Sequence, residues 1–233
     1  MLPALAALIG LGVWQLDRRE WKRELIDRAA AGLAEPPLTA IASVGPGDAW
    51  RRVRLAGAWE APELLLQSRT WNGRVGFDVL ASFRPSGAAV SVLVNRGWVE
   101  PARRAPDTRP PPPAALEGVV RFPSKTGPFA ADNDPARGMW FHIDPKAAAA
   151  HLGRPLVPFY IQAAPATAAP NAANVANGGV SAAAAPDWPR ARPPEPRFRN
   201  DHLQYALTWF ALAGAVAILY LVWRRRTGRE GPE

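Results

Sequence analysis

The sequence predicts an α+β membrane protein in which two transmembrane helices flank a β-rich, mainly antiparallel domain outside the cytoplasm that contains one short helix. Three observations predict this architecture. An apolar run lies near each end of the chain, and short alternating segments separated by turn residues fill the region between them. The 233 residues suit one modest domain with membrane anchors.

The C-terminal apolar run is the clearest membrane signal. Residues 203–223 carry no formal charge, and as a helix these 21 residues would span roughly 30 Å, the thickness of the hydrocarbon core of a bilayer. Three arginines at 224–226 end the run and favour a cytoplasmic position for the C-terminal end of the chain. We therefore predict a transmembrane helix over residues 200–224 and a cytoplasmic tail over residues 225–233.

The N-terminal apolar run, residues 2–16, is short for a membrane span. No basic segment precedes the run and no small-residue cleavage site comes after it, so the pattern is not that of a signal peptide. A helical spacing of apolar residues continues beyond the run to the neighbourhood of Pro36. We predict a transmembrane helix with an amphipathic extension over residues 1–34, and we expect a few more apolar residues to be encoded upstream of Met1.

Residues 35–162 have the alternation and the turn signals of β-structure. Asn72-Gly73 predicts a hairpin turn. Because no long helix separates the strands, the sheet should be mainly antiparallel, with a tendency to curl toward a barrel. The candidate strands are residues 53–55, 64–67, 75–83, 90–99, 116–122, 139–143 and 156–162.

The same region contains one predicted short helix, residues 145–152. Asp144 precedes it as an N-cap and Gly153 comes after it as a C-terminal stop. The next segment, residues 163–199, is rich in alanine and proline, and its composition predicts a loop.

The two flanking helices determine the predicted membrane topology. Since both helices border one domain, both chain ends lie on the same side of the membrane, and the arginines after the second helix place that side in the cytoplasm. The sequence therefore predicts a multi-pass protein of the cell inner membrane with a periplasmic central domain.

Composition and motifs exclude several classes of function. The chain has no cysteine, which excludes thiol catalysis, disulfides and iron–sulfur ligation. Its net charge of +8 is spread along the sequence, so an anionic membrane lipid surface or an acidic partner fits better than nucleic acid. The sequence contains no metalloprotease, hydrolase, phosphate-loop or dinucleotide motif, and we predict that the protein is not an enzyme.

Three histidines are the candidate metal ligands. His142 and His151 have the surroundings of structural residues. His202, at the start of the second apolar run, shares a helical stripe with Tyr205 and Trp209. An imidazole at the rim of an aromatic face suits axial ligation of a haem iron, although anchoring of the helix at the membrane surface is the simpler interpretation of the pattern alone.

Four segments carry a resemblance to a known family. They are GVWQLDRREWKRELI (residues 12–26), SVLVNRGWVEP (91–101), GPFAADNDPARGMWFHID (127–144) and RNDHLQYALTWF (199–210). In this order the segments resemble motifs of the Surfeit locus protein family of cytochrome c oxidase assembly factors.

The resemblance implies an assembly factor that assists the delivery or insertion of haem a into core subunit I of the oxidase. The family's proposed haem-contacting histidine falls on His202, which would ligate the iron, with Tyr205 and Trp209 forming a wall. Arg18 and Arg19 would be candidate partners of the haem propionates. The implied partners are the oxidase core subunit, the enzymes of haem a biosynthesis and membrane lipid, with haem a bound transiently.

A second hypothesis stays open beside this one. The protein would then be a membrane-anchored interaction scaffold that stabilises an oxidase assembly intermediate without binding haem. Residues 95–98, Asn-Arg-Gly-Trp, would have a structural or partner-facing role, with Gly97 at a bend or bulge.

Overall fold

A computed structural model describes residues 2–124, 126–128, 130–165, 188–193 and 201–227. The chain divides into two compact units. One unit comprises Met1–Arg28 and Pro196–Glu233, and the other comprises Ala29–Glu195. Most of the predicted loop at residues 163–199 and of the tail at residues 225–233 lies outside the described residues.

The described residues form three α-helices and five strands, so the prediction of a mixed α+β protein is confirmed. The helices are α1 (Leu2–Ala34), α2 (Pro145–Leu152) and α3 (His202–Thr227). The strands are β1 (Arg52–Trp71), β2 (Arg74–Pro85), β3 (Ser91–Val99), β4 (Ala115–Arg121) and β5 (Leu156–Ala163).

The five strands close into a barrel in the order β1-β2-β3-β5-β4. Closure depends on the 20-residue length of β1, which pairs with β2 along most of its course and with β4 through Arg52–Ala56. Every pair is antiparallel except β3 with β5. The predicted antiparallel character and the curl toward a barrel are therefore confirmed, and the result is a closed five-stranded barrel with Greek-key strand order.

Two features of the strand prediction are wrong. Residues 53–55 and 64–67 belong to one strand, β1, and residues 139–143 form no strand. Near the latter segment the chain turns back at Gly138, so that Met139 bridges to Asp134, and Trp140 makes only one bridge to β1. The apolar pattern of this segment instead comes from Trp140, whose side chain is buried against the outside of the barrel. A side chain can be buried in this way without strand pairing of its backbone, so the pattern alone did not indicate a strand.

The hydrophobic core has two layers. The barrel interior is filled by a buried cluster, and a smaller cluster lies between the outer surface of β1–β3, Trp140 and α2. The interior cluster contains Ile41, Val53, Leu55, Phe83, Val92, Val94, Leu116, Val120, Phe159 and Ile161.

The short helix α2 has the predicted bounds and caps. The Asp144 side chain accepts hydrogen bonds from the backbone N–H groups of Lys146 and Ala147, at 2.9 and 3.1 Å. Gly153 ends the helix in a left-handed conformation. Ala148, fully buried, then packs in the outer cluster and fixes α2 on the barrel.

Segment 188–193 pairs with the barrel. The backbone of Arg190 exchanges two hydrogen bonds with Trp98 of β3, at 2.9 and 2.8 Å. Gly97, with φ of +120°, lies under this contact, where any Cβ would overlap the Arg190 carbonyl. The register shift between β2 and β3 occurs at the same place, so the predicted bulge at Gly97 is confirmed.

In the described part of the chain, one helix is long and apolar enough to cross a membrane, and it spans His202–Arg226. Large side chains such as Leu207, Ile218 and Leu219 are exposed on it, as lipid contact requires. Helix α1 does not meet the same criterion, since its apolar part ends at Leu16 and charged residues come after it. A second span, in α1, stays a prediction.

Candidate functional site

Helix α3 begins at the histidine that the sequence singled out. The carbonyl of Asp201 accepts the hydrogen bond of the Tyr205 N–H, which makes Asp201 the N-cap and His202 the first residue of the helix. His202 is half-buried. The start of the helix therefore fixes the backbone that carries the imidazole.

The shielded residues of α3 and of α1 each form a stripe with alternating spacings of three and four. This spacing is the signature of two helices packed along a common seam. On α3 the stripe contains His202, Ala206, Trp209, Ala213, Val216 and Tyr220, and on α1 it contains Leu5, Leu8, Gly12, Gln15, Arg19 and Lys22.

Two contacts set the orientation of this helix pair. Gly12 of α1 lies against the ring of Phe210, and a Cβ at Gly12 would overlap that ring. Gln15, one turn further along α1, contacts His202. As α3 advances from His202 to Phe210, its partners on α1 run backwards from Gln15 to Gly12, so the two helices are antiparallel.

The contact between Gln15 and His202 is a hydrogen bond. Oε1 of Gln15 and Nδ1 of His202 are 2.7 Å apart. With the amide in this orientation, Oε1 accepts a hydrogen bond from Nδ1–H, because an amide oxygen only accepts hydrogen bonds. In a neutral imidazole the other nitrogen, Nε2, then has the free lone pair, which is the group that binds a metal.

The other predicted site residues differ in their placement. Trp209 is half-buried on the stripe that carries His202, whereas Tyr205 is 56% exposed at the edge of that stripe. Arg18 is exposed, and its guanidinium lies 4.2 Å from the ring centre of Trp21. His202 and Trp209 thus share one helix face, while Arg18 projects from the surface of α1.

The barrel holds a second polar cluster, at Glu63, Arg96 and Arg109. The two carboxylate oxygens of Glu63 accept hydrogen bonds from Arg96 and from Arg109. The three side chains are 16%, 9% and 1% exposed, respectively. Burial lowers the pKa of Arg96 and the Glu63 charge opposes this shift. The cluster is a buried ion triad, so the guanidinium of Arg96 is shielded from solvent.

The remaining histidines have structural partners. The amide oxygen of Asn133 accepts from the backbone N–H of His142. The His151 ring contacts Trp140 edge-to-face at 5.6 Å. Within the described residues, no group of three or more histidine, aspartate or glutamate side chains could hold a metal ion.

Comparison with known proteins decides the family. The model of the SURF1 family matches residues 2–214. The chain belongs to the SURF1 family. It is 32% identical over 241 residues to Surfeit locus protein 1 of Mus musculus, covering 94% of this chain and 72% of the relative. It is 27% identical over 230 residues to the SURF1-like protein of Rickettsia felis, covering 97% of this chain and 95% of the relative.

Similarity to a human relative supports the same family assignment. Surfeit locus protein 1 of Homo sapiens is 30% identical over 242 residues, covering 94% of this chain and 74% of the relative. The resemblance to the Surfeit locus protein family that the four sequence segments carry is therefore confirmed.

In this SURF1 family member, two of those segments meet in space. The first lies on α1 and supplies Gly12 and Gln15, and the last begins α3 and supplies His202 and Phe210. Sequence reasoning missed Gln15. Its signal was present, because Gln15 is the only amide side chain in the apolar run of residues 2–16.

Proposed function

We propose that this SURF1 family member is a membrane-anchored assembly factor for cytochrome c oxidase that holds haem a during its insertion into the oxidase core subunit. The observation that supports this function best is the state of His202. Its Nδ1 is engaged by Gln15, and its Nε2 is the nitrogen that would bind the haem iron.

The residues around His202 fit a haem in their chemistry. Trp209 lies on the same stripe, and Tyr205 offers an exposed aromatic ring one turn from the histidine. Arg18 and Arg19 come about one turn after Gln15 on α1, where cationic side chains would pair with propionates. Haem a is the cargo and would supply the iron centre of the oxidase, while the chain holds and orients it.

The proposed topology has both termini in the cytoplasm and the barrel in the periplasm of the inner membrane. The antiparallel packing of α1 on α3 and the arginines at 224–226 support it. Alkaline phosphatase fused within residues 163–185 should be active, and a fusion after Glu233 should be silent. The reverse activity pattern would overturn the orientation.

In this function the protein carries haem a and catalyses no reaction. The partners would be core subunit I, which receives the haem, and the enzymes of haem a biosynthesis, which supply it. Membrane lipid would surround α3 at its exposed apolar side chains.

The test is a spectrum of the purified protein after expression with the haem a biosynthesis enzymes. The wild type should show a Soret band, and His202→Ala should lose it while the protein stays in the membrane at normal levels. The matched control is His151→Ala, which removes an imidazole outside the helix pair and should keep the band. Wild-type haem content in His202→Ala would exclude the carrier role.

One observation favours the scaffold as a second candidate. On the barrel, Trp71, Trp98 and Trp188 lie in contact, and the guanidiniums of Arg190 and Arg192 lie over the outer two rings. Trp98 is buried, but the half-buried members of this cluster present basic and aromatic groups, which suit binding of an acidic protein segment. If the scaffold is correct, Arg192→Glu should lower oxidase yield and His202→Ala should leave it unchanged.

A further inference from the structure

The hydrogen bond between Gln15 and His202 joins residues that are 187 positions apart in the sequence. Its two side chains are half-buried on the facing stripes of α1 and α3. A polar group shielded from water costs free energy unless it is hydrogen-bonded, and here each side chain supplies the partner of the other. The bond therefore orients both side chains.

The close approach of the helices makes this bond possible. Gly12 has no Cβ, and the ring of Phe210 occupies the space that a Cβ would take. Gln15 lies on the same face of α1, three residues after Gly12. The separation of the helices at Gly12 therefore holds the Gln15 amide within reach of the imidazole.

The chemical consequence concerns the two imidazole nitrogens. Metal-binding histidines commonly donate the second ring N–H to an oxygen acceptor, which fixes the tautomer and the ring orientation and raises the basicity of the ligating nitrogen. Oε1 of Gln15 is such an acceptor, at 2.7 Å from Nδ1. Without it, neutral His202 could place its proton on Nε2, and that nitrogen would lose its lone pair for a metal.

We propose that Gln15 is a positioning residue that fixes His202 as the Nδ1–H tautomer and thereby presents Nε2 as the ligand atom. The role of Nε2 as a ligand atom rests on the proposed haem-carrier function, whereas the tautomer of His202 is a property of the protein without haem. Gln15 acts through His202 and touches no iron.

The experiment combines two measurements on the full-length protein in detergent. The first is ¹⁵N NMR of histidine-labelled protein without haem, with the His202 signals assigned by subtraction of the His202→Ala spectrum. The second is the fraction of haem a retained during dilution, with the Soret spectrum and the reduction potential of the bound haem. The variants are Gln15→Leu, Gln15→Glu and the matched control Gln204→Leu, which removes an exposed amide near the start of α3.

We expect Gln15→Leu to lose the Nδ1–H signature and to bind haem about 10- to 100-fold more weakly, the usual effect of removing such an acceptor. Gln15→Glu keeps an acceptor and adds negative charge, so it should keep the tautomer and lower the reduction potential. Gln204→Leu should match the wild type in every readout.

The outcomes separate this inference from the proposed function. If haem binding depends on His202 and Gln15→Leu retains the wild-type tautomer, spectrum and affinity, the positioning role is wrong and the carrier function stands. If the wild type binds no haem, the carrier function fails and the role of Gln15 toward haem fails with it, even where the NMR spectrum reports the Nδ1–H tautomer.

Discussion

The substitution Glu63→Gln tests the buried ion triad of the barrel. It keeps the size of the side chain and removes the one negative charge between Arg96 and Arg109. Because the side chain of Arg109 is 1% exposed and that of Arg96 is 9% exposed, solvent screens the two remaining positive charges poorly. Removing one partner of a buried ion network costs about 3–5 kcal/mol of the free energy of unfolding.

The hydrogen bonds of the triad lead to a similar expected loss in the free energy of unfolding. Glu63 accepts two charge-assisted hydrogen bonds, one from each arginine. Each bond of this kind contributes about 1.5–3 kcal/mol, so their loss costs roughly 3–6 kcal/mol. A glutamine oxygen can still accept from one arginine, which brings the expectation to the lower part of this range, about 3–4 kcal/mol.

The measurement is urea unfolding of the full-length protein in detergent, followed by tryptophan fluorescence. Trp59 contributes to this signal, and its ring centre lies 5.3 Å from the Arg96 guanidinium. The matched control is Glu117→Gln, which removes the carboxylate of an exposed ion pair with Arg54 and should cost less than about 1 kcal/mol. Equal destabilisation by the two substitutions would refute the assignment of a buried triad.

Two further predictions concern the helix pair and the pH dependence of the barrel. The valine of Gly12→Val should overlap the ring of Phe210 and so remove the NMR signal of the His202 tautomer. Adding Phe210→Ala to this variant should restore the signal, and Phe210→Ala alone should leave the signal unchanged. Burial tends to raise the pKa of Glu60, but hydrogen bonds from Ser91 and Arg84 outweigh burial and lower it below its usual 4.5. A lowered carboxyl pKa contributes stability above pH 4.5 that is lost as the pH falls further, so acid unfolding should be less steep in Ser91→Ala.

Local signals in the sequence were sufficient for some elements. Asp144 and Gly153 fixed both ends of α2, because a helix cap is formed by residues adjacent in the chain. The Asn72-Gly73 turn likewise joins β1 to β2 as predicted. In each case the interactions that decide the structure lie within a few residues.

Other features depend on residues that are distant in the sequence. The parallel pairing of β3 with β5 has no local signature, because β4 and α2 lie between the two strands in the chain. The triad of Glu63 with Arg96 and Arg109 joins three separate segments. The same holds for the candidate site. His202 could be identified from its helix and Gln15 was visible as the one amide in its apolar run, but their pairing could not be predicted, since only packing of α1 on α3 brings them together.

The two backbone hydrogen bonds between Arg190 and Trp98 have a mechanical consequence. After β5 the chain is held to the barrel by backbone hydrogen bonds at Ala164, which donates to the Glu117 carbonyl, and again at Arg190. Tension applied to the chain from its C-terminal side would load the bonds at Trp98 before it reached β5. Doubling the number of residues between two such attachment points costs a flexible chain only about 0.6 kcal/mol in closure entropy, so this stretch of sequence can vary in length with little effect on the stability of the barrel.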